Sequence, residues 1–206
     1  MKKILIIMMA ILMIAPVYAE SKDVDKARKK EYSQKLKEYK KGKWEILGSH
    51  TLDYALAKHF DRLHTLGDDA YEVEGISTAT TSKNAGKQIA SNNAAITYAQ
   101  NAGSTLKGRI ISDIFAGVNP GEEFDHFYAA YERLVEKEIK NELEPSYTII
   151  HTNPDGSFEI RSYFIVVENQ AAKARLRAVR EALESSEAAQ KYAEKISSFV
   201  SKGFNE

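Results

Sequence analysis

Apolar residues recur along this chain with two different periods, and each change of period marks the end of an element. Tyr32, Leu36 and Tyr39 stand at helical spacing in highly charged surroundings, which predicts a surface helix with one thin apolar stripe. A short strand or turn is expected over 44–47. Leu52, Leu56, Phe60 and Leu63 then repeat every three or four positions behind Thr51, a capping residue, until Gly67 ends the helix. From Tyr71 to Ile76 the period drops to two, the mark of a half-buried strand. Thr80, Thr81 and Ser82 close that strand and offer caps for a long helix over 83–102. Its small residues, Ala85, Ala90, Ala94, Ala95, Ala99 and Ala102, predict tight packing on a sheet. Gly103 is the expected point of a break or kink, after which Leu106, Ile110, Ile111, Ile114 and Phe115 carry an apolar face onward.

The turn Asn119-Pro120-Gly121 introduces the clearest amphipathic helix, with Phe124, Phe127, Tyr128, Tyr131, Leu134, Val135, Ile139 and Leu143 on one face and Pro145 as its stop. Glu122, Glu123 and Asp125 suit the positive end of that helix. Segments 147–152 and 157–167 flank Asn153-Pro154-Asp155-Gly156 and read as a β-hairpin. A last helix is expected from Ala171 toward Phe199. No fixed repeat appears. The order of elements predicts an α+β fold: a small, mainly antiparallel sheet packed against several helices, one of them long and alanine-rich.

Composition adds an address. Lys2 and Lys3, the apolar run 4–15 and the ending Val17-Tyr18-Ala19 have the layout of a secretory signal, so residues 1–19 are expected to be removed on export. The apolar run is shorter than the roughly 20 residues a membrane span needs, and no later stretch is long and uncharged enough. All four methionines lie in this segment and cysteine is absent, so disulfides, thiolate metal sites and a lipid-bearing cysteine are excluded. Cleavage leaves 187 of the 206 residues, enough for a single domain over 44–206 behind a charged, basic, helical or linker lead-in over 20–43. Losing Lys2 and Lys3 takes the basic groups from 29 to 27 against 29 acids, a net charge of −2, which gives no global attraction to nucleic acid. Locally, 26–43 holds nine lysines and arginines against Glu31 and Glu38; a solvated helix or linker is favoured there over a tether to anionic lipid or polysaccharide.

The stretch Tyr71-Glu-Val-Glu-Gly-Ile-Ser-Thr-Ala79, followed by the alanine-rich run Lys83 to Ala99, resembles the strand-then-helix signature of the twenty-kilodalton envelope lipoprotein family and the N-terminal domain of the flagellar T-ring protein. The resemblance covers about residues 71–168. It implies a non-catalytic envelope module and names no ligand. The family's lipid-bearing cysteine is missing here, so it implies no lipid anchor for this chain.

No residue is nominated as catalytic, cofactor-binding or metal-binding. Among His50, His59, His64, His126 and His151 the one close pair, His59 and His64, is separated by five positions, which turns the two about 140° apart on a helix; all five read as ordinary surface or half-buried histidines. Glu72 and Glu74 read as solvent-facing strand residues, and Glu122 with Glu123 as helix-end charges. Ser49, Ser185 and Ser186 lack a nucleophile-elbow context. Asn92, Asn93, Gln100 and Asn101 could line a polar groove, although solvent exposure or hydrogen bonds to a loop account for them equally. The leading expectation is a periplasmic protein that binds an unidentified envelope protein. The alternatives are an exported hydrolase acting on cell wall or carbohydrate, and a carrier of an apolar ligand; the alternative addresses are the medium and a membrane anchored by an uncleaved signal.

Overall fold

The computed structural model describes residues 22–202, and the predicted signal over 1–19 lies outside them. Seven helices and four strands follow in the described residues: α1 (Lys22–Lys41), β1 (Glu45–Ile46), α2 (Leu52–Leu66), β2 (Ala70–Thr80), α3 (Lys83–Asp113), α4 (Glu122–Ile139), β3 (Glu144–Thr152), β4 (Phe158–Val167), α5 (Glu168–Glu184), α6 (Glu187–Gln190) and α7 (Ala193–Ser201). The strands form one antiparallel sheet in the order β1-β3-β4-β2, so the fold is α+β.

Strand alternation divides the core into two layers. Val73, Phe164 and Val166 point to one face, where α3, α4, α5 and α7 cover them. Tyr147, Ile149 and Tyr163 point to the other, under Tyr39 of α1 and Leu56 and Phe60 of α2. Helices therefore lie on both sides of the sheet. Gly75 allows the closest approach: a Cβ there would meet the Ala90 carbonyl oxygen at 1.9 Å, and Ala90 and Ala94 are themselves fully buried. The alanines of α3 serve the close packing that their size predicts.

Three boundaries differ from expectation. Helix α3 runs unbroken through Gly103, where the missing side chain gives room to Glu132 of α4, whose Oε2 would stand 3.2 Å from an added Cβ. Helix α4 ends at Ile139, before Pro145, and that proline sits within β3 opposite Phe164. The single C-terminal helix is three, because after Ser185 the Ser186 side chain accepts a hydrogen bond from the Ala189 N–H at 3.2 Å and starts a new helix.

Candidate functional site

Strand β2 is the last strand of the sheet, and its outer edge pairs with no other strand among the described residues. Helix α3 runs beside it. Asn93 on α3 donates its side-chain N–H to the Ile76 carbonyl at 2.7 Å, so that carbonyl points away from β4. Alternation along an antiparallel strand turns the backbone groups of Glu74 and Glu72 the same way. Between this edge and α3 lies a groove of about 820 Å³. Asn93, Thr97, Asn101 and Thr105, each four positions from the last, form a helical ridge of amide and hydroxyl groups along it. The strand side supplies Tyr71, Glu74 and Ile76, the last an exposed apolar residue. Strand β2 holds neither proline nor lysine, the residues that commonly protect an edge from pairing. Of the four amides considered in the sequence, Asn93 and Asn101 reach this groove, whereas Asn92 and Gln100 are exposed outside its lining.

On the opposite face of β2, under α1 and α2, lies a compact polar cluster. Glu72 does not face solvent there. Its Oε1 accepts from Lys35 Nζ at 2.7 Å and its Oε2 lies 2.8 Å from His59 Nε2. Oε2 has no aligned donor among the described residues, so the histidine approach is a close polar contact off the hydrogen-bond line. His59 is only 1% exposed, a correction to its reading as a surface or half-buried residue, and its Nδ1 lies 2.8 Å from Ser146 Oγ. Burial opposes the charge on Glu72, but the close polar contact with His59 and the hydrogen bond from Lys35 outweigh it and hold the carboxyl below its ordinary range. Lys35 is likewise raised: burial lowers it, and Glu72 more than restores it.

Aromatic rings close this cluster from the core. Tyr147 and Tyr163 stack at 4.4 Å, the Tyr39 and Tyr147 hydroxyls meet at 3.2 Å, and Tyr163 donates to Glu74 Oε1 at 2.7 Å. Burial first, and the neighbouring carboxylates and phenols second, push the Tyr147 and Tyr163 hydroxyls far up, so both remain un-ionised at neutral pH. Ser146 owes its position to the irregularity between Pro145 and Tyr147 in the β3–β4 register. Consecutive residues of β3 thereby reach one histidine, Ser146 by its hydroxyl and Tyr147 by its ring at 5.1 Å. Nothing in the sequence pointed to this meeting, since His59 and Ser146 are 87 positions apart.

The other residues weighed in the sequence stay apart. His50 stacks on Tyr54 at 4.9 Å, and His151 lies against Trp44 at 5.4 Å. His126, Glu122 and Glu123 are exposed on the first turns of α4, and Ser49 is exposed before α2. Among the described residues no group of three or more His, Asp or Glu is placed to hold a metal ion, and no helix is long and apolar enough to cross a membrane. No protein-family model, curated protein or solved structure matches the chain.

Proposed function

We propose that this is an exported protein of the cell envelope that binds another envelope protein, without chemistry at that face, through the groove between β2 and α3. The observation that carries this reading is the edge of β2, eleven residues long and paired with no further strand among the described residues, with a polar helix ridge beside it. An extended segment of a partner adds to such an edge by main-chain hydrogen bonds, while the groove beside it selects side chains. Amides and hydroxyls on the ridge can pair with a peptide backbone, and Ile76 and Ile96 beside them can take its apolar side chains. Support for the address comes from the signal-like residues 1–19 and from the resemblance of 71–168 to the envelope lipoprotein family and the flagellar T-ring domain.

A photo-crosslinking amino acid placed at Ile76 in the native cell tests the proposal, with the same group at exposed Tyr54 of α2, outside the groove lining, as the control. One recurrent envelope protein captured from Ile76 and not from Tyr54 supports it. Equal capture at both positions, or none, rejects the groove as the interface. The intact mass of protein recovered from the periplasm, the medium and the membrane tests the address: a periplasmic species starting at Glu20 is expected, and a chain retaining 1–19 in the membrane rejects cleavage.

A further inference from the structure

His59 carries a constellation that the binding reading leaves unused. Its two ring nitrogens face a serine hydroxyl and a carboxylate, each at 2.8 Å, and the ring is 1% exposed while Ser146 is open to solvent. A serine nucleophile requires this order of groups: a base within hydrogen-bond reach of the hydroxyl, and a third group that orients the base. In the tautomer with its proton on Nε2, toward the carboxylate, the ring leaves the Nδ1 lone pair for the Ser146 hydroxyl. Lys35 fixes Glu72 from the other side at 2.7 Å. The misalignment at Glu72 Oε2 is of the kind that closes when substrate is bound, because catalytic hydrogen bonds in empty sites are commonly loose.

We propose that Ser146, His59 and Glu72 form a serine-nucleophile site for short-chain acyl esters. Ser146 opens into a surface pocket of about 150 Å³ shared with Tyr54, Lys58, Arg62 and Ile165, room for a small acyl group. Ser146 Oγ bonds to the ester carbonyl carbon while its proton moves to His59 Nδ1. The carbon–oxygen bond to the alcohol then breaks, and Nδ1 returns the proton to the departing alkoxide. Water repeats the sequence on the acyl-serine, giving up a proton to Nδ1, releasing the carboxylic acid and restoring Ser146. Glu72 stabilises the imidazolium formed in both halves. Lys58 and Arg62 are the cations lining this pocket, and Arg62 is held by Glu144 at 2.9 Å.

Purified protein is treated with a fluorophosphonate probe, the adduct located by peptide mass spectrometry, and p-nitrophenyl acetate hydrolysis measured for wild type, S146A and H59Q. Labelling at Ser146 and a loss of about 100-fold or more in kcat/KM for S146A are expected, the usual scale for removing a group of this kind. H59Q with an unchanged circular dichroism spectrum loses labelling as well. If H59Q does not fold, S146A decides alone, since it removes only an exposed hydroxyl. An adduct confined to other residues, no adduct at all, or S146A hydrolysing at the wild-type rate overturns the proposal.

Discussion

A methyl group on Gly75 would stand 1.9 Å from the Ala90 carbonyl oxygen and 2.5 Å from the Ala94 nitrogen, both backbone atoms of a buried helix. Neither side can withdraw without parting β2 from α3, so Gly75→Ala is expected to cost about 3 kcal/mol, the upper end for overpacking. Gly108 lies on the exposed side of the same helix with nothing near an added Cβ, and Gly108→Ala is expected to gain about 0.5–1 kcal/mol from helix propensity. Urea unfolding of the two variants checks the pair, and equal effects would contradict the close approach. Glu72 gives a pH prediction. Its folded pKa lies below the ordinary value of 4.5, so its stabilising contribution is complete above that value and is lost as the pH falls through the depressed one. Wild type should therefore exceed Glu72→Gln in stability at pH 7, and the gap should shrink steadily below about pH 4.5 in thermal unfolding scans. The alanines of α3 were readable from composition because size alone decides close packing. Glu72 was not, because alternation tells which residues share a face and not which face another layer will cover.

Periodicity located the helices and the hairpin, since burial on one face writes its period into the chain, and it missed events that depend on a partner element. Gly103 looks like a breaker in isolation, yet α4 fills the space beside it and α3 continues. The C-terminal helix looks continuous because its apolar residues keep appearing, and the break depends on Ser186 capping α6. Ser186→Ala is expected to cost about 1 kcal/mol, the usual loss for an N-cap. A larger effect belongs to Arg175 of α5, which is 1% exposed, donates to Tyr98 on α3 at 2.5 Å and to Glu168 on its own first turn, and reaches the Val200 carbonyl on α7 at 3.4 Å. One guanidinium thus ties three helices together. Arg175→Met leaves the half-buried Glu168 carboxylate with the Tyr71 hydroxyl as a donor at 3.0 Å and should cost about 3 kcal/mol, the low end of the scale for breaking a buried pair. Chemical denaturation of both variants orders them, with Arg175→Met the less stable by a clear margin.

Helix α1 is a layer of the protein, and this changes what its nine basic residues mean. The sequence favours a solvated helix or linker because charged residues, 11 of the 18 in 26–43, mask one thin apolar stripe; in the structure that stripe is seated, with Tyr39 2% exposed and Tyr32 packed edge-on to Phe60 at 6.2 Å. Lys35 leaves the charged face altogether and sits between Glu72 and the Tyr163 ring, 4.8 Å from its centre. Lys26, Lys29, Lys30, Lys37, Lys40 and Lys41 stay in water, where their stems can cover apolar surface without burying charge. Without this helix, the Tyr147, Tyr163, Leu56 and Phe60 side chains would lose their cover, and Glu72 its lysine. A chain starting at Trp44 should therefore bind a hydrophobic dye strongly, melt at a markedly lower temperature and lose the acid-limb dependence set by Glu72 only in part, since His59 remains. The face of α3 turned toward the groove lies on the other side of the sheet and should keep its hydrogen-exchange protection if the two layers are separable. Uniform loss of protection across α1, α2 and α3 would show instead that the sheet transmits the defect, and that the helices on its two faces stand or fall as one cooperative unit.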